Sequence, residues 1–433
     1  MKPWRTDGVA RRCWIAAAAF LIATVAAGRP ELGRAETPSV APRNFSRAKL
    51  EPAGDYLRNE IATGRIPGAI LLVQQHGRPV YFENFGLRGT DTMLPMTADT
   101  IFRLYSMSKP ITSVAAMMLV EDGKLKLGDP VSKYIPAFGK VKVGVEESEG
   151  DQKPELVLEP LARPITIEDL MRHTSGLTYG FYGESRVRKL YANSGLFDGD
   201  FDNAQFAERL AKLPLAEQPG TRFDYGHSVD VLGRVVEVAS GQSLYAFEKA
   251  RLLDPLGMTD TAFYIADPAK LPRLAELMPG DRFTTPIAGI GEPIPARRWE
   301  SGGAGMIGTI SDYARFAQML LNRGTLDGKR YLKPETVALM TSDHIGPETH
   351  IAHDIFYFPG AGSGFGLGFA VGVEDPAPAT LPSGEYRWDG VAGTFFYVDP
   401  QDDMFVICML QSPTQRGRIE SELKPLVYQA LER

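Results

Sequence analysis

The feature that most constrains the fold is one apolar run, Ile111 to Val120, preceded by Ser106-Met107-Ser108-Lys109-Pro110. Its bulky apolar side chains recur at roughly helical spacing, and Gly123 marks a C-terminal break. Proline is tolerated in a first helical turn but not further along, so Pro110 indicates where the helix starts. The pattern predicts a buried helix from about Ser106 to Glu121, around which the chain is organised.

Ser106 and Lys109 lie on one face of this predicted helix, so their side chains can touch. A serine hydroxyl attacks an acyl carbon only when a base removes its proton. A lysine amine does so when burial or nearby positive charge lowers its pKa. The positive end of the helix dipole favours the neutral amine and also an oxyanion beside the Ser106 N–H. The pair is therefore a candidate nucleophile and base.

The same S-x-x-K spacing also occurs at Ser46 and Lys49. This second match opens an amphipathic helix, predicted from Asn44 to Ile61, and not a long apolar one. We interpret it as a solvated helix start, because a preorganised nucleophile needs a buried support.

The N-terminus has the layout of a secretory signal peptide. Four basic residues precede an apolar run from Cys13 to Ala27, and small residues and a polar, proline-containing segment follow. The run is shorter than the ~20 residues of a spanning helix. We therefore predict a signal peptide and leader over residues 1–35, with cleavage after Ala27 or after Ala35. We expect a protein that is exported, periplasmic or secreted, and not stably inserted in a membrane.

Length and charge limit the functional classes. The chain has 433 residues, more than a single average domain, so we expect two lobes. The formal net charge of -6 gives no reason to expect a nucleic-acid partner, and we interpret the basic cluster Arg186-Val187-Arg188-Lys189 as a solvated face. Cys408 is the one cysteine outside the predicted leader, so no intrachain disulfide is expected.

Strand patterns lie near both ends of the chain and helical patterns between them. Two apolar runs joined by Gln75-His76-Gly77-Arg78 predict a hairpin, and strand-like runs between Gly366 and Leu410 precede a final helix. One central segment, Lys140 to Pro160, has little periodicity and is predicted to be an exposed loop or insertion.

This order predicts an α+β fold in which an antiparallel sheet is flanked by helices and a mostly helical lobe is inserted. We place the folded domain at 36–433. The sheet lobe takes about 44–105 and 300–433, and the helical lobe about 106–299.

Tyr225 is a further candidate, because it lies on a glycine-containing turn just before a predicted helix. Its phenol could accept the Ser106 proton if a cation such as Lys109 lowered its pKa. A packed aromatic residue is the alternative, and the sequence leaves both interpretations open.

Two sequence motifs that are typical of other hydrolases are absent. Neither G-x-S-x-G nor H-E-x-x-H occurs in the sequence. We interpret His173 as a structural residue that closes a helix, and the pair His350 and His353 as loop residues. The glycines of Gly302-Gly303-Ala304-Gly305 are expected to pack backbone against a sheet. No metal and no cofactor are predicted.

Four segments together resemble serine hydrolases of the β-lactamase/penicillin-binding-protein superfamily. The resemblance is strongest to the carboxylesterases related to class C β-lactamases, covers nearly all of the chain beyond the leader, and implies a two-lobed transpeptidase-like fold. The segments are Ser106-Met107-Ser108-Lys109-Pro110, His173-Thr174-Ser175-Gly176-Leu177-Thr178-Tyr179-Gly180, Phe223-Asp224-Tyr225 with Asp230-Val231-Leu232-Gly233, and Trp388-Asp389-Gly390-Val391.

The resemblance implies a role for each of these positions. Ser106 is the acylated nucleophile, and Lys109 and Tyr225 share the role of base. The backbone N–H groups of Ser106 and Val391 form an oxyanion hole, with Val391 on the edge of a sheet strand. The substrate-binding positions are His227, Trp388, Asp389 and Gly390.

Two positions depart from the β-lactamase pattern. His227 stands where β-lactamases carry asparagine; Tyr191-Ala192-Asn193 is the literal Tyr-x-Asn match, but its surroundings do not resemble the family motif. Trp388 replaces the lysine of the K-T-G box, and tryptophan offers an apolar wall and one N–H donor instead of a cation. Arg387 is adjacent but is expected to face the other way along the strand.

The sequence therefore predicts a serine carboxylesterase that acts on a small-molecule ester or amide, with neutral esters of short to medium acyl groups fitting best. Two alternatives stay open. One is a β-lactamase or D-amino-acid peptidase, transpeptidase-like, acting on cell-wall substrates. The other is an inactive homologue that binds cell-wall peptide or a partner protein.

Overall fold

A computed structural model describes residues 44–147, 154–281, 290, 292–294, 296–353, 357–373 and 382–432. Its strands are β1 (Asn44–Phe45), β2 (Gly68–Gln75), β3 (Arg78–Gly89), β4 (Leu94–Pro95), β5 (Phe102–Arg103), β6 (Val143–Glu147), β7 (Glu155–Glu159), β8 (Arg222–Phe223), β9 (Ile307–Gly308), β10 (Thr325–Leu326), β11 (Lys329–Arg330), β12 (Ala352–His353), β13 (Ser363–Phe365), β14 (Ala370–Gly372), β15 (Tyr386–Asp389), β16 (Phe395–Asp399), β17 (Met404–Leu410) and β18 (Leu431–Glu432).

The α-helices are α1 (Arg47–Ala62), α2 (Ser108–Glu121), α3 (Ile167–Met171), α4 (Arg186–Ala192), α5 (Asn203–Leu210), α6 (Ser228–Ser240), α7 (Leu244–Glu248), α8 (Asp254–Leu256), α9 (Ile310–Leu321), α10 (Pro334–Met340) and α11 (Arg416–Gln429). A π-helical turn, Lys249–Leu253, joins α7 to α8. Short 3-10 turns lie at Tyr105–Met107, Val131–Lys133, Pro136–Gly139, Pro268–Arg273, Pro347–Thr349 and Pro413–Gln415.

The two ends of the chain build one antiparallel sheet. Its eight described strands run in the order β13-β14-β15-β16-β17-β2-β3-β4. At its centre β17 pairs with β2, Met404 opposite Gln75 and Leu410 opposite Ala69, although more than 300 residues separate them along the chain. The predicted hairpin is confirmed as β2 and β3, and the predicted antiparallel sheet flanked by helices is confirmed.

The central strands β2, β16 and β17 are buried on both faces, and successive side chains of β17 alternate between two cores. Phe405, Ile407 and Met409 face the core that contains α2, α6 and α9. Val406 and Cys408 face the smaller core formed with α1 and α11. The sheet is thus a layer between the terminal helices on one side and the helices that carry the site on the other.

The predicted central helix is confirmed, and every residue from Ser108 to Leu119 is buried. Its first turn differs from the prediction, because Tyr105–Met107 adopt 3-10 geometry before α2 begins. A short helix, α3, follows Thr166. Thr166 and Asp169 form a reciprocal capping box, which satisfies backbone donors that an isolated helix start leaves open.

The segment from Lys140 to Pro160 is predicted to be an exposed loop or insertion, and the prediction of a loop is wrong. The described part of this segment is the hairpin of β6 and β7. The Gly144 N–H donates to the Leu215 carbonyl at 2.9 Å, and the Leu215 N–H donates to the Lys142 carbonyl at 2.8 Å. The hairpin is therefore held by a distant segment, and local periodicity carries no trace of such pairing.

Residues 1–35, predicted to be a signal peptide and leader, lie outside the described residues. Within the described part of the chain, no helix has both the length and the apolar character needed to cross a bilayer.

Candidate active site

Ser106 occupies the middle of a tightly fixed 3-10 turn at the start of α2. The preceding Tyr105 is fully buried and has a φ of 45°, a left-handed conformation that is unfavourable for a tyrosine. Ser108 Oγ donates to the Tyr105 carbonyl at 2.6 Å and accepts from the Met306 N–H at 3.0 Å. These two hydrogen bonds stabilise the unfavourable backbone conformation of Tyr105. Such local strain is typical of functional turns.

Lys109 is buried, with 1 % of its surface exposed, and its amine is placed against the nucleophile. Lys109 Nζ lies 3.2 Å from Ser106 Oγ, 2.8 Å from the Gly303 carbonyl oxygen and 3.4 Å from the Tyr179 hydroxyl. Burial lowers the pKa of Lys109 to about 7, against the opposing effects of Asp230 and Asp389. A substantial fraction of the amine is therefore neutral near pH 7 and able to accept a proton.

The Tyr225 hydroxyl reaches the same place from the turn before α6. It shares a hydrogen bond with Ser106 and accepts one from Trp388 Nε1 at 3.3 Å. Lys109 Nζ lies 4.5 Å from the centroid of the Tyr225 ring. The structure thus brings Ser106, Lys109 and Tyr225 together, as the sequence predicts.

The expected cause of Tyr225 reactivity is wrong. Burial raises the pKa of Tyr225 well above its usual value, and the hydrogen bond with Ser106 offsets only part of this rise. Lys109 was expected to lower this pKa as a cation, but its own pKa is lowered by burial. Tyr225 is therefore a protonated phenol in the resting site, suited to donating a hydrogen bond or a proton.

A buried ionic cluster fixes the segment that carries Tyr225. Arg188 donates to Asp224 Oδ2 at 3.0 Å and to Thr178 Oγ1 at 2.6 Å. The Tyr182 hydroxyl donates to Asp224 Oδ1 at 3.0 Å and to the Tyr225 carbonyl. These contacts set the position of the Tyr225 backbone from both sides.

The interpretation of Arg186 to Lys189 as a solvated face is therefore wrong for Val187 and Arg188. Arg186 and Lys189 are exposed, but Arg188 is buried against Asp224. Residues three or four apart share a helix face, so adjacent members of one basic cluster point in different directions. The burial of Arg188 depends on a partner 36 residues away.

Val391 lies in the turn between β15 and β16, and not on a strand edge as predicted. Gly390 allows this turn to approach the nucleophile, because a Cβ at Gly390 would stand only 2.3 Å from the Leu104 carbonyl oxygen. Thr394 Oγ1 donates to the same carbonyl at 3.4 Å. The turn is therefore packed on the chain two residues before Ser106, while its role in an oxyanion hole stays a prediction.

Trp388 forms an apolar wall beside Tyr225, and the charge of the adjacent Asp389 is compensated by an ion pair. Trp388 is 5 % exposed, and its ring lies 5.3 Å from that of Tyr225. Asp389 is ion-paired with Arg416 at 2.7 Å. Arg387 faces away, as predicted, and donates to the Pro359 carbonyl and to Ser363 Oγ.

Further aromatic side chains lie around Tyr225, and one of them is exposed. Phe358 is 44 % exposed and lies 5.2 Å from the Tyr225 ring and 5.5 Å from the Tyr182 ring. Phe181 stacks on Tyr179 at 4.7 Å. A group leaving water for this surface is favoured when it is apolar.

His227 is buried, and its Nδ1 lies 2.9 Å from Asp230 Oδ2. This position favours a supporting role over the substrate contact predicted from the sequence. His173 follows α3 with a φ of 57°, and its buried ring lies 4.7 Å from that of Tyr225. His353 stacks on Tyr357 at 3.9 Å.

Sequence reasoning missed the residues that support the amine. Gly302 and Gly303 pack against α2 and α6, and not against a sheet as expected: a Cβ at Gly302 would meet Thr112 at 2.9 Å, and one at Gly303 would meet Asp230 at 3.0 Å. The adjacent glycines were the available signal, because close backbone approach is a common reason for glycine.

In the part of the chain that the structure describes, no group of three or more His, Cys, Asp or Glu side chains is arranged to hold a metal ion. A hydroxyl held against a buried amine, at the start of a buried helix on an antiparallel sheet, is prepared for acyl transfer. This defines the class of protein as a serine hydrolase with the transpeptidase-like fold.

Comparison with known proteins gives the family. The model of the Beta-lactamase family matches residues 53–428, so the chain belongs to that family. Protein Rv1367c of Mycobacterium tuberculosis is 37% identical over 363 residues, covering 82% of this chain and 88% of the relative. Esterase EstB of Burkholderia gladioli is 33% identical over 411 residues, covering 88% and 95%.

A solved structure supports the fold. EstCE1, described as a hydrolase with promiscuous acyltransferase activity, matches with a TM-score of 0.71 and 29% identity. The match covers 88% of this chain and 99% of EstCE1. The chain is thus a Beta-lactamase-family serine hydrolase related to esterases.

Replacing Arg188 by methionine is expected to lower the free energy of unfolding by about 3–5 kcal/mol, because it removes the cation paired with a buried carboxylate. The matched control is Arg186→Met, two residues earlier on the exposed side of α4, with an expected change within about 0.5 kcal/mol. Urea unfolding followed by circular dichroism measures both. Equal stability of the two variants would contradict the ionic cluster.

Proposed function

We propose that this protein hydrolyses small carboxylic esters with short to medium acyl chains through a covalent acyl-Ser106 intermediate. The observation that carries the proposal is the 3.2 Å approach of Lys109 Nζ to Ser106 Oγ in a buried setting. Burial both lowers the pKa of the amine and keeps it in place, which together activate a serine.

The reaction follows from the positions of three side chains. Neutral Lys109 accepts the Ser106 proton as Oγ attacks the ester carbonyl, and the backbone N–H groups of Ser106 and Val391 stabilise the oxyanion. The tetrahedral intermediate collapses with loss of the alcohol, which takes a proton from Tyr225 or from protonated Lys109. Water then attacks the acyl-enzyme through the same groups and releases the carboxylic acid.

The substrate preference rests on what faces the nucleophile. Trp388 forms an apolar wall in place of a lysine, and Phe358 extends this wall to the surface. The nearby cation, Arg416, is paired with Asp389. A neutral ester leaves no charge unpaired here, whereas the carboxylate of a β-lactam would have to compete with Asp389 for Arg416. The relative named an esterase supports the same class of substrate.

Ser106→Ala is expected to abolish hydrolysis of p-nitrophenyl butyrate, because it removes the serine hydroxyl that lies 3.2 Å from Lys109 Nζ. Ser46→Ala is the matched control and is expected to keep full activity: Lys49, the lysine of that motif, forms an exposed ion pair with Glu432 at 3.3 Å. Release of nitrophenol by the purified mature protein measures both. Normal turnover by Ser106→Ala would contradict the assignment of the nucleophile.

Two further results would redirect the proposal. Faster turnover of nitrocefin or D-alanyl peptides than of simple esters would replace the proposed substrate class by the cell-wall alternative. Failure of a fluorophosphonate probe to label Ser106 would favour a binding protein without catalytic activity.

The pH dependence of kcat/KM is expected to show an acid limb near pH 7. The pKa of Lys109 is lowered to about 7, and the neutral form is the active one. Activity should therefore be low below this pH, rise as the amine loses its proton, and level off at higher pH. Lys109→Arg, which stays cationic, should be inactive throughout. A limb near pH 10 would contradict a role for the buried amine.

A further inference from the structure

A buried chain of hydrogen bonds leads from Lys109 to a carboxylate that takes no part in the proposed chemistry. The Gly303 carbonyl oxygen lies 2.8 Å from Lys109 Nζ, and the N–H of the same residue donates to Asp230 Oδ1 at 3.1 Å. Ser301 Oγ donates to the same carboxylate oxygen at 2.5 Å. One short turn, Ser301 to Gly303, therefore connects the amine to Asp230.

The turn lies directly on the carboxylate. A Cβ at Gly303 would stand 3.0 Å from both oxygens of Asp230, so any larger residue would displace the turn or the acid. The next residue is tied in as well, because the Ala304 N–H donates to Ser301 Oγ at 3.0 Å. The position of the Gly303 carbonyl thus depends on where Asp230 holds the turn.

Asp230 is itself fixed from the opposite side. Its Oδ2 lies 2.9 Å from His227 Nδ1. The His227 ring is held between Tyr179, at 4.5 Å, and Phe206, at 5.4 Å. Burial opposes the charged form of Asp230, but the hydrogen bonds from His227 and Ser301 outweigh this and leave its pKa below the usual value. A negative charge therefore persists inside the protein, close to the amine.

We propose that Asp230 is a positioning residue that, through Ser301 and Gly303, holds the Lys109 amine against Ser106 and sets the pH range of the reaction. The inference rests on the proposed function of Lys109 as the base. Asp230 acts on Lys109 through its hydrogen bonds with Ser301 and Gly303, and its contact with His227 lies on the opposite side.

The other groups near Lys109 allow the effect of Asp230 to be isolated. The phenols of Tyr179 and Tyr225 have raised pKa values and remain protonated. Burial lowers the pKa of the His173 ring. Besides Asp230, the carboxylate of Asp389 acts on the amine, and its charge is compensated by Arg416.

The test is Asp230→Asn, which keeps the shape and the acceptor oxygen and removes the charge. Without that charge the protonated amine is less stable, so the acid limb of kcat/KM should move to lower pH by about one unit. KM should change less than twofold, because the substrate surface is intact. Asp312→Asn is the matched control. Asp312 is also buried, but it accepts hydrogen bonds from the Thr261 hydroxyl and the Asp260 N–H. This variant should keep the acid limb of the wild type.

A second variant covers the case in which Asp230→Asn does not fold. Gly303→Ala keeps every charge and displaces the turn that holds the amine, so kcat should fall about tenfold or more while KM stays unchanged. An unchanged limb in folded Asp230→Asn, or an unchanged kcat in Gly303→Ala, would overturn the inference.

Labelling of Ser106 by a fluorophosphonate, followed from about pH 5 to about pH 9, separates this inference from the proposed function. If the wild type is labelled and Asp230→Asn shows the same limb, only the role of Asp230 is wrong. If the wild type is not labelled at all, both the proposed function and this inference are overturned.

Discussion

The exclusion of water from the Lys109 amine is the constraint on which the rest of the site depends. An exposed lysine beside a serine would be a cation near neutral pH and could not accept a proton. Burial lowers its pKa to about 7, and this burial requires a helix whose residues from Ser108 to Leu119 are all enclosed. The sheet, α6 and the Ser301 to Gly303 turn supply that enclosure. The site is therefore a consequence of packing around α2, and it could not form on an isolated helix.

Local chemistry makes much of this arrangement predictable. The spacing of Ser106 and Lys109, the apolar run after them and the strand patterns at both ends of the chain each follow from the residues themselves. Tyr225 could be placed near the nucleophile by resemblance, and the structure brings it there. Such features are local, or are repeated in several motifs, so one sequence contains enough information to find them.

The features that were missed depend on partners distant in the chain. Arg188 is buried because Asp224 is opposite, and the β6–β7 hairpin forms because Leu215 pairs beside it. The pKa of Tyr225 is raised because its side chain is buried away from water, whereas the sequence motif shows only that a lysine lies nearby. Gly303 likewise shows its importance only when Asp230 is beside it. In each case the decisive quantity is burial or a long-range contact, and neither has a local pattern.

The most direct test of this account is a titration of the Lys109 side chain itself. Lysine labelled at the ε-carbon gives a separate NMR signal for a buried amine, and Lys109→Arg identifies that signal by its loss. We predict a titration midpoint near pH 7 in the folded protein, well below the ordinary lysine value of 10.5. A midpoint close to 10.5 would show that the amine stays charged at neutral pH, which would contradict the proposed activation of Ser106.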